Sequence, residues 1–192
     1  IQNQIENITK SLSKPITMVN FGCGCGILES KLTKIKHLYK IGIDVCQEAL
    51  NICLKNKILD QAIVTDITKT NFKKINIPES VDIIVAAEIL EHIQHPGVFI
   101  RDKISVLQKK NSYFIGSVPN LSQFCDILGL ITGKGYSYQT TRPLTDKTSG
   151  HVSFFSLQSL KNTLIFGGYT NIKILGTGVR LSRHGDYGYM FL

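Results

Sequence analysis

Short apolar runs and amphipathic stretches alternate along this chain, and that alternation limits the possible folds more than any single residue does. The runs "ITMVNF" (16–21), "YKIGID" (39–44), "AIVTDI" (62–67), "VDIIVAA" (81–87) and "YFIGSV" (113–118) have the length and composition of buried strands. Helical spacing separates them. Leu28, Leu32 and Ile35 share a face, as do Ala49, Ile52 and Cys53 within 47–57, and Ile100, Ile104 and Leu107 follow a helix start at Pro96. Strand and helix alternating five times predict a parallel sheet with helices on both faces, an α/β doubly wound fold.

Past residue 118 the rhythm breaks. Residues 119–155 hold glycines, tyrosines and hydroxyls around one short helix, "LSQFCDILGLI", and a connection that long is expected to be either functional or disordered. Order then returns: Ser156 is a good N-cap for a helix carrying Leu157, Leu160 and Leu164, which Gly167-Gly168 ends. "YTNIKILG" and "YGYMFL" read as a closing antiparallel pair. The expectation is one domain over 1–192, with 119–155 as a substrate-side insertion or lid.

Ligands of doubly wound sheets lie beyond the C-terminal strand ends, where the strand order reverses. Gly22, Gly24 and Gly26 in "VNFGCGCGILESKL" fall there, after the first strand. Glycine admits backbone angles barred to other residues and lets a ligand approach the main chain, and the next helix aims unpaired N–H groups at the same spot. A dinucleotide GxGxxG would need glycine at 27 or 29, where Ile27 and Glu29 stand, and no GxxxxGK[ST] pattern occurs. Asp44 ends the second strand, placed to accept from both ribose hydroxyls, and Asp66 follows the third within reach of an adenine amino group. Each acid has a plainer alternative as a turn former or helix cap. Together they describe a pocket for an adenosine without pyrophosphate.

These segments resemble the class I S-adenosylmethionine-dependent methyltransferases. "VNFGCGCG" is similar to the family's glycine motif, "IGIDVCQEAL" to its ribose segment, "VTDI" to its adenine-side motif and "VDIIVAAEILEHIQHPGVFIRD" to the fourth-strand motif of the small-molecule branch. "SVPNLSQF" and "GHVSFFSLQSLKNTLIFGGY" resemble the fifth strand and last helix of that branch, which includes ubiquinone-type and sugar or lipid O-methyltransferases. The resemblance implies a Rossmann-like sheet of seven mostly parallel strands with an antiparallel C-terminal strand. It also implies S-adenosyl-L-methionine as cofactor and S-adenosyl-L-homocysteine as product. Gly22, Gly24 and Gly26 would then pack against the methionine part, Asp44 hold the ribose, Asp66 with Ile67 face the adenine, and Ala86, Ala87 and Glu88 line the methyl-donor side. Asn20 departs from the pattern, standing where the family usually has an acid.

Methyl transfer to a hydroxyl gains from a base, and His92 in "EILEHI" and His151 in "GHVSFF" are the candidates, each with a structural alternative. Glu88, Glu91 and His92 would also suit a divalent cation, as in some ubiquinone-type relatives, but the same spacing suits a helix start, and no metal ligand is assigned. Phe124, Tyr136, Tyr138, Phe154 and Phe155 could close over an apolar substrate, while Lys134, Arg142 and Lys147 could meet an anionic group.

The formal charge of +8 makes nucleic acid a partner to weigh. Residues 1–96 carry 11 Lys and Arg against 10 Asp and Glu, and residues 97–192 carry 11 against 4. Only four of the 22 cations are Arg, the residue best suited to phosphate and base edges, so nucleic acid is disfavoured and a small acceptor, leaning anionic, is expected. RNA methylation and a non-catalytic binding subunit remain the alternatives. Five cysteines without a pair of CxxC spacings read as reduced thiols. The polar start is no signal peptide, and no apolar run approaches a membrane span, so a cytoplasmic protein is expected. The chain opens at Ile1 and not Met, which leaves room for residues before it.

Overall fold

Strand β1 (Ile16–Phe21) is buried at five of its six residues, as a strand flanked on both sides must be. It runs parallel to β2 (Leu38–Asp44) and, on its other side, to β4 (Val81–Ala87), while β3 (Gln61–Val64) extends the sheet beyond β2. The computed structural model describes residues 1–12, 14–78, 81–120, 124–133, 150–176 and 188–192. The remaining strands are β5 (Gln108–Pro119), β6 (Ile174–Gly176) and β7 (Gly188–Phe191), and the sheet order is β3-β2-β1-β4-β5-β7-β6. Mostly parallel, with an antiparallel last strand, this is the Rossmann-like order expected.

The chain divides into two compact units, Ile1–Ala87 with Asp102–Gly116, and Glu88–Arg101 with Ser117–Leu192. In the first, register sets the strand ends level: Phe21 lies beside Ile43 and Ala86, and Asp44 beside Val64. The chain leaves β1 through β2 to β3 and returns on the other side as β4, so the strand order reverses at β1. Asp44, Gly22 and Ala87 therefore meet on one sheet edge.

Beneath that edge Cys23, Leu50, Cys53 and Leu59 form a small core. Helix α3 (Gln47–Lys55) buries Ala49, Leu50 and Cys53, whereas Ile52, expected inside, is half-exposed. With Leu50 turned to the core, a residue two places on lies roughly 200° round the helix and faces out. Helix α2 (Ile27–Lys31) is shorter than its apolar spacing suggested. The N–H groups of Leu32 and Ile35 donate three residues back, to Glu29 and Leu32, so the helix tightens into turns. Helix α1 (Gln2–Ser11), absent from the sequence expectation, buries Ile5 and Ile8.

In the second unit β6 and β7 pair antiparallel, with Ile174 opposite Phe191. Helix α4 (Pro96–Phe99) opens at proline as expected, and the chain continues helical to Leu107, passing into the first unit at Asp102, with Ile100, Ile104 and Leu107 buried. Helix α5 is Phe124–Ile131. Helix α6 (Leu157–Phe166) has the expected cap: the Ser156 hydroxyl accepts from the Ser159 N–H, and the Ser159 hydroxyl accepts from the Ser156 N–H. Leu160 and Leu164 are buried, but Leu157, at the helix's first position, is exposed. Residues 121–123 and 134–149 of the expected lid, with Lys134, Tyr136, Tyr138, Arg142 and Lys147, lie outside the described residues. Of its remaining aromatics Phe155 is buried and Phe154 exposed. No helix among the described residues is long and apolar enough to cross a membrane.

Candidate functional site

The glycine turn is built from the strand below it. Gly22 and Cys23 donate their N–H groups to the Ile43 carbonyl, at 2.7 and 3.3 Å, which bends the chain across the end of β2. Gly22, Gly24 and Gly26 all have positive φ, 68°, 52° and 71°. For the last two the need differs. A Cβ on Gly26 would come within 2.8 Å of Cys53 Sγ and Ile58 Cγ2, whereas one on Gly24 would meet nothing within 4 Å. Gly26 closes the turn onto the core, and Gly24 leaves its outer side open to a ligand.

Asp44 holds that turn in place. Its Oδ2 accepts the Gly24 N–H at 2.8 Å and its Oδ1 the Cys46 N–H at 2.9 Å. Each oxygen keeps a lone pair, so the carboxylate can still accept from a ligand. Asp66 is more fully used: Oδ1 accepts from the Thr68 hydroxyl and N–H at 2.6 and 2.9 Å, and Oδ2 pairs with Lys69 Nζ at 3.1 Å. The Thr68 hydroxyl, then its N–H and Lys69, hold the carboxyl down at about 2. Asp66 thus closes its own turn, and Ile67 beside it is half-buried. Ala86 is buried and Ala87 half-buried at the end of β4.

The second unit gathers the histidines. Glu88, next after β4, is exposed at φ 54°, a conformation costly for a residue with a Cβ, and donates its N–H to the Ser117 carbonyl at 3.0 Å. Glu91 is 1% exposed, and neither carboxyl oxygen has a hydrogen-bond partner among the described residues. Burial first, and then the charge of Glu88, push its carboxyl up to about 8. The Glu91 carbonyl accepts the N–H groups of Val152 and Ser153 at 2.8 and 2.9 Å, which ties down the strand of chain after His151. The His92 and His151 rings meet edge to face with centroids 4.8 Å apart, and His92 Nε2 lies 4.0 Å from Glu91 Oε1. Burial, and then His92, lower the His151 pKa. One ligand atom each of Glu91, His92 and His151 lies within 4.8 Å of the others. This set replaces the Glu88, Glu91 and His92 grouping of the sequence. One carboxylate with two imidazoles fits a divalent transition ion.

A family model described as a methyltransferase domain matches residues 2–174. The chain belongs to the class I S-adenosylmethionine-dependent methyltransferases. The methyltransferase domain is 30% identical over 125 residues to the mitochondrial ubiquinone biosynthesis O-methyltransferase of Mus musculus, covering 62% of this chain and 33% of that protein. It is 31% identical over 110 residues to the ribosomal protein L11 methyltransferase of Lactobacillus johnsonii, covering 52% of this chain and 35% of that one. In fold it is similar to an S-adenosylmethionine-dependent methyltransferase from Aquifex aeolicus, with TM-score 0.60 and 19% identity over 99% of this chain and 87% of that chain. The domain spans less than half the length of the curated relatives it matches, 33–44% for the ubiquinone enzymes of Dictyostelium, mouse and rat.

Sequence reasoning missed Glu29 in this methyltransferase and, having weighed Glu91 as a metal ligand, missed its burial. Glu29 is fully buried and accepts from Asn20 Nδ2 at 2.6 Å. Glu91 is buried with no hydrogen bond to its carboxyl oxygens among the described residues. Both sit where the local pattern is apolar, Glu29 three residues before Leu32 and Glu91 between Leu90 and Ile93, and a charge on such a face was the available signal.

Proposed function

We propose that this domain methylates an oxygen of a small-molecule acceptor. The observation that carries the reading is the open outer side of Gly24 beside an Asp44 carboxylate fixed by two backbone N–H groups, on the sheet edge where the strand order reverses. In this reading Gly22, Gly24 and Gly26 pack against the methionine part of the cofactor. Asp44 accepts from the ribose, Asp66 and Ile67 border the adenine, and Ala86, Ala87 and Glu88 line the donor side. When bound, S-adenosyl-L-methionine supplies an electrophilic methyl carbon.

The chain's own task is to orient the nucleophile and take its proton. His151 suits this: its lowered pKa keeps the imidazole neutral at pH 7. His92, packed edge to face against it, is the second acceptor in the same pair. An ion held by Glu91, His92 and His151 would polarise an acceptor oxygen there, but the proton transfer does not need it. The ubiquinone biosynthesis O-methyltransferases among the relatives support oxygen as the methylated atom, and the cation excess of residues 97–192 supports an anionic acceptor. The test is calorimetry with S-adenosylhomocysteine, followed by methyl transfer to phenols with and without a carboxylate. No binding at millimolar ligand would leave a non-catalytic domain, and transfer only to a nitrogen acceptor would overturn the oxygen assignment.

A further inference from the structure

We propose that Glu29, held by Asn20, replaces the acid missing from β1 and receives the α-ammonium group of the cofactor. The inference rests on the reading that the Gly22–Gly26 turn holds the methionine part. Asn20 lies two residues before that turn and Glu29 three after it, so their hydrogen bond reaches across its base. An asparagine amide donates only through nitrogen, so the 2.6 Å contact from Asn20 Nδ2 makes Glu29 Oε1 the acceptor.

The bond leaves two atoms unsatisfied. Asn20 Oδ1 and Glu29 Oε2 are buried without a hydrogen-bond donor among the described residues, on residues 4% and 0% exposed. A buried acceptor without a donor is costly, and a buried charge without a counter-charge more so. A hydroxyl or amide could fill one acceptor but would leave the carboxylate's charge uncompensated. An ammonium carries three donors, no acceptor and a positive charge, so it answers an unsatisfied acceptor and the charge together.

Among the described residues no cation pairs with Glu29. Burial raises the Glu29 pKa, and the Asn20 bond, then its own backbone hydrogen bond and the Lys40 charge, work against that rise. Lys40 is thus close enough to act electrostatically, yet it forms no ion pair with Glu29 among the described residues. The other titratable neighbours, Cys23 and Cys53, are thiols whose pKa burial raises, so they add no charge at neutral pH.

The experiment measures the affinity of the full chain for three ligands by calorimetry. They are S-adenosylhomocysteine, its analogue lacking the amino group, and 5′-methylthioadenosine, which lacks the amino-acid part altogether. Losing a charged hydrogen-bond partner should weaken S-adenosylhomocysteine about tenfold or more in Glu29→Gln, with methylthioadenosine changed by less than about twofold. The double variant Asn20→Asp with Glu29→Gln reverses the hydrogen bond and moves the carboxylate to position 20, so it should restore S-adenosylhomocysteine binding to within about threefold of wild type. Equal losses for S-adenosylhomocysteine and methylthioadenosine, or no loss for either, would overturn the proposal, with Lys40 neutralising Glu29. If Glu29→Gln does not fold, the wild-type chain decides: a preference below about threefold for S-adenosylhomocysteine over its deaminated analogue overturns the assignment. A wild-type chain that binds none of the three overturns the cofactor reading beneath it.

Discussion

Replacing Asp44 by asparagine separates two duties that one carboxylate performs. In the free chain it accepts the N–H groups of Gly24 and Cys46 at 2.8 and 2.9 Å, and in the proposed complex it also accepts from the ribose. Hydrogen bonds to a charged group each contribute about 1.5–3 kcal/mol, and a half-buried site belongs at the low end. Asparagine keeps one acceptor oxygen but turns an NH2 group toward the second N–H. The variant should therefore lose about 1.5–2 kcal/mol without any ligand, which for a chain of this size lowers Tm by roughly 3–8 °C. Differential scanning calorimetry of the free chain reads the clamp, and titration with S-adenosylhomocysteine reads the ribose contact. An unchanged Tm with weakened binding would refute the clamp. A lowered Tm with full affinity would refute the ribose assignment.

Gly26→Ala should cost about 2–4 kcal/mol in urea unfolding, from positive φ together with crowding against Cys53 and Ile58. Gly24→Ala should cost only about 1–2 kcal/mol but place a methyl group in the space left for the ligand, so it should weaken S-adenosylhomocysteine more than it weakens the fold. Equal effects on stability would contradict this division. For Glu91, whose carboxyl is raised to about 8, the folded chain holds a proton that the unfolded chain releases, so wild-type stability should fall as pH rises from about 4.5 to 8. In chelated buffer Glu91→Gln should flatten that slope and be the more stable form at pH 9, by at most about 5 kcal/mol; parallel slopes for the two proteins would refute it. His151, observed by proton NMR of its ring, should titrate below 6.5, and it should move upward in His92→Ala as one of its two perturbers is removed.

The sheet was largely legible because strands buried on both faces advertise themselves. "VDIIVAA" is apolar at all but one position, and six of its seven residues are buried. Ser156 was legible for a local reason, since its cap bonds lie within three residues. Facing errors arose where two apolar stripes compete: Leu50 and Ile52 both suit a core, and only the packing beneath the glycine turn selects Leu50. Asp66 shows the reverse case, a turn that the local sequence Asp-Ile-Thr already contained, now satisfied by Thr68 and Lys69. Glu29 was not legible as a site residue, and Glu91 was legible only beside Glu88 and His92, because their meaning is set by burial and by partners brought from elsewhere. Asn20 reaches Glu29 from nine residues away, and His151 joins His92 from 59 positions later.

A chain of formal charge +8 that grips a cationic cofactor must separate its surface field from its interior one. Separation by depth suffices. Exposed lysines act through water, where ions screen them beyond about 8 Å at physiological ionic strength, whereas the buried Glu29 carboxylate is screened far less. Raising salt from about 50 to 500 mM should therefore leave S-adenosylhomocysteine affinity within roughly twofold. An anionic acceptor gathered by surface lysines should weaken over the same range, and RNA held by several phosphate contacts should weaken by orders of magnitude. If cofactor affinity instead falls as steeply as that of an anion, surface charge and not the buried acids does the holding, and the roles given to Glu29 and Asp44 both fail.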